Sequence, residues 1–200
     1  MKLLSSATLQ RAIMSMLSQD TVSIHPYDKQ WPLLFETEKE LLTSLFGVDL
    51  LAVEHIGSTS VPGMDAKPVI DVQAAFQRLP LSSEQMAKLT TLGYEHIPIP
   101  ETVISSSVYM QFRKLGEDGV TETHMLHAKV LGELWQETID TREYLRLHEE
   151  ERLAYAKAKK QLASKHSNVK EYTLAKRDFV MDLLRKSKEW AKKNHQEGRT

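Results

Sequence analysis

The sequence predicts an α/β (α+β) protein, a small mixed β-sheet with flanking helices followed by a C-terminal helical bundle. Three observations predict it. Short β-branched and alternating runs at 50–56, 68–75 and 108–114 read as strands. A loop of small residues, Gly57 to Lys67, separates the first two. Residues 133–163 and 169–193 contain neither proline nor glycine and are rich in Leu, Ala, Lys, Glu and Arg, the composition of long helices.

The elements follow in order. Residues 5–18 carry Leu9, Ile13, Met14 and Leu17 at helical spacing, an N-terminal extension over 1–20. Residues 22–25 predict a short strand stopped by Pro26. A helix starts near Trp31-Pro32, where proline is tolerated in the first turn, and ends at Gly47. Leu34, Leu41, Leu42 and Leu45 are its expected apolar face. A helix is expected over 82–92 and a short strand over 94–97. A hairpin joins 108–114 to 120–130 across a turn at Gly116 to Gly119. The α/β core is then 21–132, and the helical region 133–193 breaks near Ser167-Asn168.

Composition narrows the function classes. With 26 Lys and Arg against 27 Asp and Glu, the net charge of −1 offers no global field for nucleic acid or an anionic membrane. Nucleic acid is not an expected partner. Without cysteine there is no disulfide, thiolate metal site or thiol nucleophile, which fits a cytoplasmic protein. No apolar run approaches the roughly 20 residues that span a membrane. Walker A, HExxH and Gly-x-Ser-x-Gly patterns are absent.

The chemical signal lies between His55 and Gln73. A strand delivers Gly57-Ser58-Thr59-Ser60, whose backbone N–H groups and hydroxyls suit phosphate oxygens. Asp71, in the next strand, can hold a divalent metal beside them, and Lys67 can add positive charge. Strand alternation puts Gln73 on the face of Asp71. Glu122 is a further candidate carboxylate. Alternation also predicts that Glu122 and His124 share a face while His127 points away. His55, ahead of the loop, can donate to a phosphate or fix the turn. Arg113 can contact an anion or pair on the surface. Arg142 and Arg146 read as surface charge pairs, and Lys157, Lys159 and Lys160 as a solvated face laced by intrahelical pairs.

The string His55-Ile-Gly-Ser-Thr-Ser-Val-Pro-Gly63 followed by Ala66-Lys-Pro-Val-Ile-Asp71 resembles the GrpB-like family of the nucleotidyltransferase superfamily. Pro26 to Pro32, Phe112 to Lys114, Thr123 to His127, Arg142 to Arg146, and Tyr155 with Lys159 extend the resemblance along the chain. It implies a nucleotidyltransferase-like fold, nucleotide phosphates on Gly57 and Ser58, and Mg²⁺ on an Asp-x-Asp/Glu pair with a third carboxylate. Here that pair reads Asp71-Val72-Gln73, with an amide at the second position. Three functions are thus expected. The first is nucleotidyl transfer from a nucleoside triphosphate to a small acceptor, with Asp71 and Glu122 as catalytic metal ligands. The second is a non-catalytic module for a nucleotide or other phosphorylated small molecule. The third is a partner-binding protein. The expected pocket is bounded by Gly57, Ser58, Asp71, Gln73 and the strand of Glu122 and His124.

Overall fold

A computed structural model describes residues 22–166 and 169–197. The predicted helix at 5–18 and the predicted break at Ser167-Asn168 lie outside these residues. Helix α1 (Gln30–Phe46) begins where the Asp28 carboxylate accepts from the Gln30 amide at 2.8 Å. It ends at Gly47, whose φ of 52° lies in the left-handed region that favours glycine. Its buried face is Trp31, Phe35, Glu38, Leu42 and Phe46, spaced by four, three, four and four residues. Of the expected leucine face, Leu42 is buried and Leu45 packs against the core. Leu34 and Leu41 are exposed, because the aromatic rows fill the space over the sheet and turn those leucines outward.

Five strands follow: β1 (Leu50–Ile56), β2 (Ile70–Phe76), β3 (Tyr94–Ile97), β4 (Tyr109–Leu115) and β5 (Glu122–Lys129). They form one mixed sheet of order β1-β2-β5-β4-β3. β2 and β5 run parallel and the other pairs antiparallel. The architecture is the expected mixed sheet with flanking helices and a C-terminal helical region. The strand expected at 22–25 does not form. A single bridge joins His25 to Ala66, because Pro26 and Pro68 have no amide hydrogen to extend the ladder. Helix α2 (Ser83–Thr91) opens on a reciprocal cap between Ser82 and Gln85. The β4–β5 hairpin turns on Asp118, whose carboxylate accepts from the amides of Val120 and Thr121, so β5 starts at 122 rather than 120.

Four helices complete the chain: α3 (Glu133–Leu147), α4 (Glu149–Ala163), α5 (Val169–Ala175) and α6 (Arg177–Glu197). Within 133–163 the helix is interrupted at His148, which leaves helical backbone geometry (φ −112°, ψ 92°) and turns its ring back onto the Tyr144 carbonyl and ring.

The sheet separates two layers. On one face Phe35, Leu42 and Phe46 of α1 and Leu89 of α2 close over Ile70, Val72, Ala74 and Phe112. Buried Glu38 of α1 accepts there from Lys114 at 2.8 Å. Toward the other face Val61 and Met64 of the loop pack with Tyr144, Leu145, Tyr155 and Leu183. The aromatic row of α1 can be tested against its leucines. Phe35→Ala should lower the unfolding free energy by about 3–5 kcal/mol, the usual range for a buried Phe→Ala change, and Leu34→Ala by under about 0.5 kcal/mol. Urea denaturation of the two variants checks it.

Candidate functional site

Gly57 joins β1 to a short 3₁₀ turn at Ser58–Ser60 with φ 71° and ψ −171°. A Cβ there would lie 2.2 Å from Asp71 Oδ2 and 2.8 Å from its Cγ. Glycine is therefore required twice, by conformation and by the carboxylate that fills the place of its side chain. Ser60 Oγ donates back to the Gly57 carbonyl at 2.6 Å. Buried Thr59 donates to the Val69 carbonyl, which leaves its hydroxyl oxygen to accept from His55 Nε2 at 3.0 Å. His55 stacks on Phe35 at 4.8 Å, and burial lowers its pKa to about 4. Thr59, Ser60 and His55 thus fix the turn, and Ser58 and Thr59 line the cleft.

Helix α3 fastens the turn from outside. Arg142 donates to Glu54 at 2.7 Å and to the His55 carbonyl at 2.8 Å. Arg146 donates twice to the Ser60 carbonyl, at 2.7 and 3.2 Å. The charge pairs expected of these arginines form, with Glu54 and Glu143, and the same side chains also clamp both ends of the loop.

Asp71 stands where β2 and β5 begin to pair. Its Oδ1 lies 3.3 Å from His127 Nε2, and His127 Nδ1 lies 2.6 Å from the Tyr109 hydroxyl. Burial and the Asp71 charge raise the Tyr109 pKa far above its usual range, so the phenol keeps its proton and donates it to Nδ1. With Nδ1 accepting from the phenol, Nε2 is the ring nitrogen that offers a hydrogen to Asp71.

The expected sharing of faces on β5 is reversed. His127 is on the Asp71 face, and His124 lies on the other, 3.9 Å from Glu38 under α1. A register shift opposite Lys114 and Leu115 inserts one residue and carries Glu122 to the His127 side. Burial lowers the His124 pKa, and His124 lines neither hollow described below.

Gln73 is on the Asp71 face but is sealed beneath α3. Its Nε2 donates to the Trp135 carbonyl, and its Oε1 accepts from Lys129 Nζ at 2.6 Å and from the Thr138 hydroxyl. The place of a second carboxylate is thus occupied by an amide bound to a buried lysine. Burial lowers the Lys129 pKa to about 8.

A cleft of about 320 Å³ opens over Ser58, Asp71, Glu122 and His127. Lys67, Lys159 and Lys176 line it. Lys67 Nζ is 3.6 Å from Glu122, and burial raises the Glu122 pKa. Lys159, only 3% exposed, donates to the Asp65 carbonyl at 2.7 Å and sits 4.8 Å above the Tyr155 ring. Burial, with help from the charge of Lys176, lowers its pKa to about 7. Lys176 sits 5.3 Å above the Tyr172 ring, and burial lowers its pKa as well. The solvated-face reading fails at Lys159, while Lys160 does pair outside with Asp65. Arg113 is turned to the sheet edge, where it pairs with Glu95 at 3.1 Å. Sequence reasoning missed Tyr109 and Lys176. The signal for the lysines was a repeated Tyr-x-x-x-Lys, at Tyr155 with Lys159 and Tyr172 with Lys176, which stacks each cation on its own aromatic ring.

The side chains expected to hold Mg²⁺ each have another partner. Asp71 faces His127, Glu122 faces Lys67 and Gln73 is bound to Lys129. Among the described residues no three His, Asp or Glu side chains converge as a metal set.

A sequence model described as GrpB protein matches residues 21–186. The glutamate-rich protein GrpB of Alkalihalophilus pseudofirmus is 30% identical over 171 residues, covering 84% of this chain and 97% of that protein. The UPF0157 protein YqkA of Bacillus subtilis is 32% identical over 173 residues, 86% of this chain, and the match spans 48% of YqkA, about half its length. The crystal structure of conserved protein GrpB from Enterococcus faecalis superimposes with a TM-score of 0.70 at 28% identity, over 84% of this chain and 99% of that one. On a family match over most of its length, and on relatives matched nearly from end to end, this chain belongs to the GrpB family.

Proposed function

We propose that the protein binds a phosphate-bearing small ligand in this cleft, and that it holds the anion with ammonium groups rather than through a divalent metal. The observation that carries the reading is the convergence of Lys67, Lys159 and Lys176 beside the Ser58 turn. Three lysines face two carboxylates, and burial raises the pKa of one of them, Glu122. Desolvated lysines are costly to keep charged, so an entering anion recovers electrostatic energy that water would otherwise supply. The fixed turn contributes Ser58 without reordering. Nucleotidyl transfer, the finer reading of the family resemblance, asks for carboxylates free to hold Mg²⁺, and the engagement of Asp71, Glu122 and Gln73 favours binding over transfer.

Titration calorimetry with inorganic phosphate tests this. Affinity should be unchanged by EDTA or by added Mg²⁺. Lys176→Met should weaken it about 10- to 150-fold, the loss of one charge-assisted hydrogen bond of about 1.5–3 kcal/mol. No measurable phosphate binding at millimolar concentration, or binding that requires Mg²⁺, overturns the reading.

The pH dependence has a defined sign. Lys159 in the free protein has a pKa of about 7, and a bound anion raises it. Below pH 7 the ammonium is already formed; above it, binding must take up a proton. Affinity for sulfate, whose charge is constant over this range, should therefore be flat below about pH 6 and fall as pH rises past 7. Lys159→Met should flatten that profile.

Gly57→Ala must displace the Asp71 carboxylate and adopt a strained φ. It should lower stability by about 1–3 kcal/mol and weaken phosphate binding with it. Thermal melts and calorimetry on the same variant check both.

A further inference from the structure

A second hollow, of about 240 Å³, opens on the other side of the Ser58 turn, and it shares Ser58, Asp71, His127 and Tyr155 as walls with the lysine cleft. Its remaining lining is chiefly aliphatic: Ile56 of β1, Leu145 of α3, and Val180, Leu183 and Leu184 of α6. The polar side chains that reach it from α3 are already engaged inside the protein. The single Thr138 hydroxyl hydrogen lies within reach of Gln73 Oε1 and the Trp135 carbonyl, and its oxygen accepts from Lys129. Thr141 donates to the Glu137 carbonyl and meets Ser187 at 3.0 Å. Arg142 holds Glu54 and the His55 carbonyl. What α3 and α6 leave for a ligand on this side is hydrocarbon, whereas the adjoining cleft supplies ammonium groups.

We infer that the ligand is a phosphate monoester with a small apolar body, its phosphate among Lys67, Lys159 and Lys176 and its body in the hollow walled by α3 and α6. The inference rests on the phosphate-binding reading and adds the class of molecule. Size sets a bound on the body. An apolar cavity of about 150 Å³ holds one benzene ring, so a hollow of about 240 Å³ takes a single ring with a substituent or a short branched chain. Together the two hollows reach the scale of about 300–1,000 Å³ typical of small-molecule sites, and inorganic phosphate would leave the apolar part unfilled. Asp71 and His127 lie on the shared wall, so the ester linkage of such a ligand passes beside them.

Phenyl phosphate is the probe, compared with inorganic phosphate by titration calorimetry in a phosphate-free buffer. Phenyl phosphate should bind at least tenfold tighter than phosphate. Leu184 and Val180 are partly exposed, so polar replacements there spare the buried core. Leu184→Gln and Val180→Asn should each reduce the preference to under threefold while leaving phosphate affinity within twofold. Leu184→Met should retain it, and thermal melts establish that each variant is folded. Equal affinity for the two anions in the wild type overturns the inference and leaves phosphate binding standing, as does a preference that survives both polar variants. Failure of both anions to bind removes the phosphate reading itself and this inference with it.

Discussion

The contact between Gly57 and Asp71 sets the rest of the site. The two residues end and begin adjacent antiparallel strands, and the register pairs Ile56 with Asp71. With no side chain at 57, the carboxylate folds back against the turn and stays within reach of His127. The turn can then follow a tight path in which Thr59 and Ser60 are held by internal hydrogen bonds while Ser58 and Thr59 line the cleft. Arg142 and Arg146 grip carbonyls on either side of the turn, so the C-terminal helices read the position of the loop directly. Displacement of one backbone atom at 57 would thus be felt at the carboxylate, at the arginine clamp and in the shape of the cleft.

Charge is distributed unequally across the sheet. Under α1 a single carboxylate, Glu38, receives Lys114 and neighbours His124, a buried pair closed off from ligand. On the opposite face the lysines outnumber the carboxylates, and two of them rest on aromatic rings rather than against acids. A ring face stabilises a cation without supplying a competing anion. That is a suitable way to hold ammonium groups near an opening where a negatively charged molecule is to replace water. The two faces use similar residue types for opposite ends, one sealed by pairing and the other left receptive.

Much of this was legible in the sequence, and the parts that were not have physical reasons. The strands were legible because alternation and β-branching are local, and the Gly57 turn because glycine followed by hydroxyl residues has few uses after a strand. The face of His127 was not legible, since a one-residue shift in register inverts every side chain beyond it. The buried face of α1 was read half right, at Leu42 and Leu45 but not at Leu34 and Leu41, because leucines were weighed above the Trp31 and Phe35 row. Lys159 looked solvated because its hydrogen-bond partner, the Asp65 carbonyl, is distant in the chain. The break at His148 carries no proline or glycine, and only the packing of its ring on Tyr144 marks it. Glu122 and Asp71 line one cleft, and their basic neighbours could not be read from spacing.

The bond between Gln73 and Lys129 has a further meaning for how the molecule holds together. The lysine ammonium is enclosed by Gln73 of β2 and by Leu134 and Thr138 of α3, so three of its contacts come from two separate parts of the chain. Were α3 to lift away, the amide and the ammonium would lose partners in the same event and face a half-dry surface. Partial opening is therefore energetically steep at its first step. The helical third behaves less as an appendage than as the second half of one cooperative unit, melting with the sheet, and the walls of both hollows exist only while that unit is intact.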